Sequence, residues 1–475
     1  MAAPREATVI LIEIIFAFIG ITGCIMVKFN TKLSYAYMDE LFHIPQAQKY
    51  CKGIFNEWDP MLTTPPGLYL FSIGVLKPVC WFFHIPPSVV CDVAWLRCIN
   101  IIFAVTNLYL LVALTRKIHG HSQTYNDTRG VLTATALATF PVLYFFTFLY
   151  YTDSGSTCLV LLMYLLGLHG NHTLAATVGA ASIFFRQTNI VWVIFVAGLI
   201  VADIIDDWMQ LHKKETSSAR LGDVTQLVLL WKRVLKCAQC NRMNLWELAI
   251  DILTKTWMYI MVGIGFAMFV YLNEGIVLGA RGDHPAALHF PQLFYFCSFT
   301  AIFAFAHLVS PRKILDFVRL QFRKPLIAVT FCTVSAILIC KFTFAHRYLL
   351  ADNRHYTFYV WSKIYRRHEL VKYCLIPAYF YGMWCMWTAL RLKNILWKLV
   401  YILCVSMNLV PATLLEFRYF VIPYLIFRLN VPLGSYTKIT IELLLYMTVN
   451  AATFYVFLEK TFLWQNEDAP QRFMW

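Results

Sequence analysis

Charged residues are scarce in this chain. Only 14% of its 475 residues are Asp, Glu, Lys or Arg, whereas 59% are hydrophobic and 16% are aromatic. Soluble domains carry about 25% charged residues, so an ordinary soluble domain is excluded. A membrane helix needs about 20 mainly apolar residues, which leaves little length for a separate soluble domain. We expect an integral membrane protein that forms a single polytopic domain over residues 1–475.

Motifs for nucleotide and metal chemistry are also missing. The chain has no Walker A loop, no G-x-G-x-x-G after a strand, no H-E-x-x-H and no D-x-D pair. Nucleotide-driven chemistry is therefore not expected, and we predict no metal and no cofactor. The net charge of +14 would suggest nucleic acid in a soluble protein. In a membrane protein it reflects the Lys and Arg excess of cytosolic loops, so we expect a lipid bilayer and no nucleic acid as partners.

Cysteines give little information at this level. Most of the 14 lie in apolar runs, where a thiol behaves as a small hydrophobic group. Cys237 and Cys240 form a C-x-x-C, but no second pair follows at the spacing of a zinc site. We predict no metal or redox role for them.

Apolar runs that fit membrane helices recur along the whole chain. They lie at 8–28, 95–114, 131–149, 157–169, 173–184, 189–205, 256–272, 290–309, 325–343, 371–390, 395–411, 414–428 and 439–458. The first run is too long for a signal-peptide core and lacks a small-residue cleavage site, which predicts a retained anchor with a cytosolic N-terminus. The sequence predicts an all-α bundle of about 12 to 14 membrane helices.

The apolar stretch 67–83 decides the topology. It follows WDPMLTTPPG and contains an internal Lys-Pro pair, so we predict an interfacial helix within a first lumenal loop over 30–94. Basic groups from Arg116 to Lys393 then fall on one side, which the positive-inside rule makes cytosolic. If 67–83 crossed the membrane, those basic loops would all move outward.

Two loops stand out in this arrangement. The loop at 203–255 is polar and is predicted to be a solvated cytosolic connection. The lumenal loop at 344–369 is basic, and an anionic ligand is one reason for cations on that side. The alternative is an interfacial aromatic belt whose Arg and Lys side chains extend to the membrane surface.

The segment YMDELFHIPQAQKYC, residues 37–51, concentrates acidic groups just after the first apolar run. A short helix at the membrane surface would place Asp39 and His43 on one face. Partial desolvation raises the basicity of a carboxylate, so Asp39 could accept a proton from a sugar hydroxyl. The alternative is that Asp39 and Glu40 only cap the helix. Asp59 adds a further carboxylate, in an Asp-Pro turn.

Other ionisable residues lie where membrane helices rarely carry charge. They are Asp153 in FLYYTDSGS, Arg186 in FFRQTN, Glu416 and Arg418 in LLEFRYF, and those of the run ADNRHYTFYVW at 351–361. Arg186 and Arg354 are candidate phosphate ligands, because a guanidinium stays charged and pairs with phosphate oxygens. Glu416 and Arg418 could instead form a structural ion pair. One carboxylate with such cations suits a lipid phosphate donor, whose leaving group is a weak base.

Several motifs resemble those of the dolichyl-phosphate-glucose-dependent alpha-1,2-glucosyltransferases of the endoplasmic reticulum. They are YMDELFHIPQAQKYC, WDPMLTTPPGLY, FRQTNIVW, HFPQLFYF, LLADNRHYTFYVW, LLEFRYFVIPY and QRFMW, and they extend from Tyr37 to Trp475. The resemblance implies a glycosyltransferase-C fold in the endoplasmic reticulum membrane, with a lumenal active site. It implies inverting transfer of the third, terminal glucose from dolichyl phosphate β-glucose, in α-1,2 linkage, to a diglucosylated high-mannose dolichyl-diphosphate oligosaccharide, which completes the precursor for protein N-glycosylation.

The same resemblance implies roles for individual residues. Proteins of the superfamily place an acidic residue of the first lumenal loop at the transfer site, and Asp39 is the matching position. Asp39 would be the general base toward the acceptor 2-hydroxyl, with Glu40 orienting it or hydrogen-bonding the acceptor. The donor-phosphate candidates are Arg354, His355 and Arg186, and the substrate-binding candidates are His43, Asp59, Tyr356, Tyr359 and Trp361, whose aromatic members could stack on sugar faces.

Two other functions remain open. A sister dolichyl-phosphate-sugar transferase with another sugar or acceptor would need the same local chemistry, and the linkage of the product would distinguish it. A polytopic transporter or channel-associated subunit would predict inverted repeats or paired broken helices, which the sequence does not display. It would also predict function that survives Asp39→Asn.

Overall fold

A computed structural model describes residues 2–120, 126–210, 223–240, 242–283, 286–465 and 469–475. Its helices are α1 (Ala2–Lys32), α2 (Glu40–Cys51), α3 (Gly67–Phe83), α4 (Pro87–Val90), α5 (Val93–His119), α6 (Asp127–Ala138), α7 (Pro141–Phe146), α8 (Asp153–Leu168), α9 (His172–Ile183), α10 (Ile190–Gln210), α11 (Asp223–Cys240), α12 (Arg242–Leu272), α13 (Pro291–Phe303), α14 (Phe305–Leu308), α15 (Pro311–Arg323), α16 (Pro325–Phe342), α17 (Arg347–Ala351), α18 (Tyr356–Tyr359), α19 (Val371–Cys374), α20 (Ile376–Ala389), α21 (Ile395–Leu409), α22 (Val421–Asn430) and α23 (Tyr436–Glu459). The predicted all-α class is confirmed.

Short elements complete the described fold. The 3-10 turns cover Gln187–Asn189, Arg281–Asp283 and Phe417–Phe420, and a π-helical turn covers Val360–Tyr365. Strands β1 (Thr461–Phe462) and β2 (Gln471–Arg472) pair antiparallel near the end of the chain.

The predicted apolar runs coincide with helices throughout. Helices long and apolar enough to cross a membrane are Thr8–Lys32, Val93–His119, Gln187–Met209, Met243–Leu272, Pro325–Phe342 and Tyr436–Glu459. Shorter apolar helices are Gly67–Phe83, Asp153–Leu168, Pro291–Phe303 and Ile395–Leu409. The chain is therefore a multi-pass membrane protein, while the count of 12 to 14 membrane helices stays a prediction.

Some apolar runs are divided into two helices. The run 131–149 contains α6 and α7, and Pro141 is the first residue of α7. Proline has no backbone N–H and cannot continue the hydrogen-bond ladder of the preceding helix. This interruption keeps each piece below the length of a complete span.

An aromatic core joins the two ends of the chain to its middle. Phe29 of α1 stacks on Phe148 with 5.0 Å between ring centroids, and on Phe457 of α23 with 5.2 Å. Phe145 of α7 packs edge-on against Phe457 at 5.2 Å. These rings hold α1, α7 and α23 together directly below the first loop, and so give that loop a rigid base.

A disulfide between Cys51 and Cys91 closes the first loop, although no pairing was predicted for either residue. Their Cα atoms are 6.6 Å apart, at the end of α2 and just before α5. Only α3 and the four-residue α4 lie between them. A hydrocarbon core is about 30 Å thick, so a single crossing by α3 would keep the two cysteines far apart. The disulfide therefore supports the prediction that 67–83 does not cross.

The loop at 203–255 differs from its predicted form as a solvated connection. In its described part, α10 continues to Gln210, α11 covers Asp223–Cys240, and α12 begins at Arg242. An ion pair of 2.8 Å joins Lys398 of α21 to Asp223, which attaches α11 to the helix bundle. Amphipathic helices are hard to distinguish from solvated loops when hydropathy alone is read, because half of their residues are polar. Residues 211–222 lie outside the described residues, as does the side chain of Cys240 in the C-x-x-C.

Candidate active site

A cavity of about 980 Å³ opens among the first loop, the start of α8, the turn before α10, the segment before α18 and the 3-10 turn before α22. This size is at the upper end of the range for pockets that bind organic ligands. Five of the predicted site residues line it, namely Asp39, His43, Arg186, Arg354 and His355. The cavity therefore brings together residues that are hundreds of positions apart in sequence.

The backbone around Asp39 directs this residue toward the cavity. Met38, just before it, has a φ of 57°, a left-handed conformation that is uncommon for residues other than glycine. The backbone N–H of Asp39 donates to the hydroxyl of Tyr151 at 3.1 Å. The carboxylate is 43% exposed and lines the cavity. A strained turn held by a buried tyrosine thus positions a carboxylate that a substrate can reach.

The pKa of Asp39 departs from its predicted direction. Burial alone would raise the pKa of this carboxyl group, as the sequence suggested. The positive charge of Arg418 opposes burial, and the net result is a pKa below the usual value for aspartate. The expectation of raised basicity is wrong for the protein without substrate, because it did not include this arginine.

Arg418 is the residue that contacts Asp39 most directly. Its Nη1 donates to Oδ2 of Asp39 at 3.1 Å. Its Nε and Nη2 lie 2.8 and 2.7 Å from Oε2 of Glu416. The predicted Glu416–Arg418 ion pair therefore exists, but it also lines the cavity and reaches the candidate base. Sequence reasoning singled out Arg418 as an unusual charge and gave it no place in the site.

Asp153 and Arg186 form a second ion pair in the cavity. Nη1 of Arg186 lies 3.0 Å from Oδ1 of Asp153, whose side chain is only 3% exposed. Oδ2 of Asp153 lies 4.0 Å from Nη1 of Arg418. Arginine and aspartate therefore alternate around this part of the cavity, which keeps several cations there without an excess of positive charge.

Arg354 and His355 are held by the last described segment of the chain. Nε and Nη2 of Arg354 donate to the two oxygens of Asp352 at 2.9 and 2.8 Å. Nδ1 of His355 is 2.9 Å from the backbone oxygen of Trp475. The backbone of Met474 donates to the oxygen of Arg354 at 2.9 Å, and Met474 itself lines the cavity. The motif QRFMW thus holds Arg354 and His355, two of the predicted donor-phosphate residues, in place.

His43 lies on α2 one turn after Asp39, as the predicted helix requires. Its Nδ1 is 2.5 Å from the hydroxyl of Tyr69. Burial lowers the pKa of His43 to about 4, so the ring is neutral near neutral pH. A neutral imidazole in the lining can exchange hydrogen bonds with sugar hydroxyls without adding charge.

Glu40 is placed differently from its prediction. It is completely buried and does not belong to the described cavity lining. Nε and Nη2 of Arg97 donate to its two oxygens at 2.9 and 2.6 Å. The backbone N–H groups of Tyr37 and Tyr150 donate to the same oxygens, at 3.1 and 2.6 Å. With its acceptor sites occupied, Glu40 anchors α2 and does not contact an acceptor sugar in this arrangement. The sequence does contain a signal for this contact: Arg97 lies within the apolar helix α5, and an arginine in such a helix indicates a buried acidic partner.

Four other predicted substrate residues have structural contacts instead. Oδ1 of Asp59 accepts from the backbone N–H of Met61 at 2.9 Å, which closes a turn. The rings of Tyr356, Tyr359 and Trp361 pack against Trp475, Phe473 and Tyr365, at 5.1, 5.9 and 4.6 Å between centroids. None of the four is part of the described lining of the cavity.

The described part of the chain was not expected to hold a metal ion. It contains no group of three or more His, Cys, Asp or Glu side chains arranged to hold a metal ion. Several charged groups in the cavity are paired as arginine with carboxylate.

Curated relatives cover nearly the whole chain. A Homo sapiens protein named Dol-P-Glc:Glc(2)Man(9)GlcNAc(2)-PP-Dol alpha-1,2-glucosyltransferase is 46% identical over 96% of each chain. Proteins with the same name from Drosophila melanogaster and Arabidopsis thaliana are 35% and 34% identical, over 92% of this chain and 93% and 94% of their own lengths. The relatives thus extend from animals to plants.

Similarity to solved structures is weak by comparison. The apo crystal structure of an Archaeoglobus fulgidus oligosaccharyltransferase matches with a TM-score of 0.39 and 12% identity, over 92% of this chain and 55% of that chain. A likeness at this level carries no argument. The sequence pattern of the DIE2/ALG10 family, in contrast, matches residues 33–429. This protein is a member of the DIE2/ALG10 family.

Proposed function

We propose that this protein transfers glucose from dolichyl phosphate glucose to a diglucosylated dolichyl-diphosphate oligosaccharide, in α-1,2 linkage. The observation that carries the proposal is that the chain belongs to the DIE2/ALG10 family. A relative that is 46% identical to it is named for this activity. The cavity adds chemical support, because the carboxylate of Asp39 is accessible there and several arginines line the same cavity. A lipid phosphate donor and a hydroxyl acceptor need those two kinds of group.

The reaction is an in-line displacement with inversion at the glucose C1 atom. Asp39 accepts the proton of the acceptor 2-hydroxyl while the hydroxyl oxygen forms a bond to C1. The bond between C1 and the phosphate oxygen breaks, and its electron pair leaves with dolichyl phosphate. The leaving phosphate is a weak base, so it needs charge stabilisation more than a proton.

Two arginines and one histidine of the cavity are suited to the donor phosphate. Arg354 and His355 stand on the basic segment held by Met474 and Trp475, and Arg186 approaches from the turn before α10. Their fixed backbone positions favour electrostatic stabilisation of the leaving group, since the charges need little rearrangement during reaction. His43 is assigned to the acceptor side because it lies on α2 beside Asp39.

The active site is assigned to the lumen of the endoplasmic reticulum. The Cys51–Cys91 disulfide supports this side, because disulfides persist in oxidising compartments and are rare in the cytosol. Asp39 and Cys51 lie in the same first loop, so the disulfide and the cavity share one side of the membrane. The basic connections on the other side then obey the positive-inside rule.

The test is transfer by purified protein from a short-chain dolichyl phosphate glucose to the diglucosylated lipid-linked acceptor. We expect wild-type turnover to fall roughly 10²- to 10⁴-fold in Asp39→Asn, because that is the usual contribution of a positioned base. Donor affinity should be retained. Asp251→Asn is a matched control, since Asp251 is a surface carboxylate paired with Lys255.

Other outcomes would overturn parts of the proposal. A folded wild-type protein that does not transfer glucose would contradict the assigned substrates. A product whose new bond is not α-1,2 would point to a sister transferase. Undiminished turnover by Asp39→Asn would remove Asp39 from the chemistry and leave the reaction itself in place.

A further inference from the structure

Arg418 has a contact pattern that the transfer reaction does not by itself explain. Two nitrogens of its guanidinium, Nε and Nη2, are bound to Glu416, and the third, Nη1, is directed at Oδ2 of Asp39. The side chain is only 14% exposed. Its guanidinium also lies 5.4 Å from the ring centroids of Phe146 and Tyr151. Arg418 is thus fixed on several sides and presents a single donor edge to the candidate base.

The two oxygens of Asp39 are consequently not equivalent. Oδ2 is bound to Arg418, whereas within the described residues no hydrogen bond reaches Oδ1. The carboxylate as a whole remains 43% exposed at the cavity. The backbone N–H of Asp39 is held by Tyr151, which itself packs under Arg418. Both ends of Asp39 are therefore restrained, and one oxygen is left for a substrate.

We propose that Arg418 is the positioning residue of the catalytic base: it holds one oxygen of Asp39 and leaves the other to accept the proton of the acceptor hydroxyl. Glu416 in turn fixes Arg418. The LLEFRYF motif therefore influences the reaction indirectly, because its arginine holds Asp39 of the YMDEL segment. This inference rests on the proposed glucosyl transfer. It assigns Arg418 no contact with the donor phosphate, which the geometry leaves to Arg354, His355 and Arg186.

The position of Arg418 predicts a specific pH dependence. Arg418 makes the largest of the contributions that offset burial at Asp39, so removal of this cation should raise the pKa of Asp39. A raised pKa means that Asp39 becomes protonated, and useless as a base, at a higher pH. Other charged or titratable groups facing this region are Glu40 and His43 on α2, Tyr151 before α8, Asp153 on α8, Arg186 before the turn to α10, His355 before α18, and Glu416 and Tyr419 around the 3-10 turn.

The experiment compares pH profiles of turnover between pH 4.5 and 8.5 for wild type, Arg418→Gln and Arg418→Lys. We expect the acidic limb of the pH profile, where turnover falls as pH decreases, to move upward by roughly 1 to 3 pH units in Arg418→Gln. This is the usual effect of an adjacent arginine on the pKa of an aspartate. Arg418→Lys keeps the charge and should keep the limb near its wild-type position. Its kcat should still fall, because an ammonium cannot hold Glu416 and Asp39 in the same fork. The KM for the donor should stay within about twofold in both variants.

Two controls separate this inference from structural damage and from His355. Arg319→Gln removes an arginine that is 70% exposed on α15, and its profile should match that of wild type. The limb shift should also appear when Arg418→Gln is added to His355→Gln, which replaces that imidazole with a neutral amide. Glu416→Gln should lower kcat without removing the arginine charge from Asp39.

The possible results are distinct. A limb shift with an unchanged donor KM supports the positioning role. An unshifted limb in a folded, active Arg418→Gln protein would overturn it. A large rise in donor KM would instead make Arg418 a phosphate ligand and also overturn it. Failure of wild-type transfer would contradict the proposed function, which is a separate result.

Discussion

At the residue scale, two adjacent carboxylates of the first loop have opposite environments. Asp39 is half exposed at the cavity, and Arg418 contacts one of its oxygens. Glu40 is completely buried, and Arg97 binds both of its oxygens. A buried carboxylate without such a partner would be too costly to keep ionised. Neighbouring positions in the sequence therefore have different contacts: Asp39 is the base of the proposed mechanism, and Glu40 anchors α2.

The Glu40–Arg97 pair predicts a large effect on stability. Glu40→Gln leaves the Arg97 charge buried without a counterion, and breaking such a pair costs about 3 to 5 kcal/mol. We expect a clear loss of thermal stability in detergent, and a similar loss in Arg97→Met. The double variant Glu40→Gln/Arg97→Met should recover part of it, because no unpaired charge remains. Thermal unfolding of the four purified proteins measures this.

A different result would return Glu40 to the chemistry. If Glu40→Gln unfolded at the wild-type temperature and lost glucosyl transfer, its role would be in the reaction and not in anchoring. Asp251→Asn provides the baseline for loss of a surface carboxylate, since Asp251 is 47% exposed.

The sequence singled out Asp39 and Glu40 as candidate site residues but did not show which arginines bind them. The reason is that these arginines are distant along the chain. Asp39 stands in a dense local motif with Glu40 and His43, which sequence alone displays. Arg97 lies 57 residues from Glu40, and Arg418 lies 379 residues from Asp39. Intramembrane arginines indicate that some partner exists, but only the packed helices show which one.

At the element scale, the first loop contains two helices that are too short to be stable alone. Helices α2 and α4 have 12 and 4 residues, below the length at which isolated helices form in water. The Cys51–Cys91 disulfide joins the end of α2 to the segment before α5. A covalent link here restrains the loop that carries Asp39, so it connects an element of the fold to the site.

The disulfide predicts equal behaviour of its two cysteines. Cys51→Ser and Cys91→Ser should each lower stability by about 3 to 5 kcal/mol, as expected for a closed loop of this size, and the double variant should match the single ones. A membrane-permeant reductant should destabilise wild type and leave the double variant unchanged. Cys24→Ser, at an exposed free cysteine, is the control. Thermal unfolding with and without reductant gives the answer. Unequal losses of stability in Cys51→Ser and Cys91→Ser would contradict the disulfide. So would a wild-type protein whose unfolding temperature does not change with reductant.

Hydropathy predicted the helices well, because a membrane span depends mainly on local composition. It did not predict the helix breaks, the amphipathic helix α11 or the Cys51–Cys91 pairing, which depend on tertiary contacts. The motif QRFMW carried the resemblance without an assigned role. Its position beside His355 is visible only in the structure, where the backbones of His355 and Met474 form a parallel bridge.

At the scale of the whole molecule, the site is assembled at one end of several helices. Asp39 precedes α2, Asp153 begins α8, and Arg418 lies just before α22. Helix α5 begins at Val93, two residues after the disulfide, and ends at His119 after 27 residues. At 1.5 Å per residue its length is about 40 Å, enough to cross the bilayer. In our topology, the C-terminal end of α5, where a connection to α6 begins, therefore lies on the side opposite the disulfide and the cavity.

This arrangement makes the glycosylation sequons of the chain informative. Asn126 caps α6 just after that connection, accepting from the backbone N–H of Arg129 at 3.1 Å. Asn171 follows α8, which begins at Asp153 in the cavity. Both asparagines are exposed, so burial would not prevent modification. A glycan on either asparagine would therefore require that it faces the lumen.

We predict that neither Asn126 nor Asn171 carries a glycan when the protein is made in endoplasmic reticulum membranes, because both face the cytosol in our topology. A new sequon in the first loop, Lys52→Asn/Ile54→Thr, should be glycosylated, since Lys52 is exposed and our topology places it in the lumen. Lys52→Gln/Ile54→Thr is the matched control without an acceptor. An endoglycosidase-sensitive mobility shift on a gel reads all three sites. Sugar on Asn126 or Asn171 would invert the topology and place the cavity in the cytosol, where the disulfide would not persist.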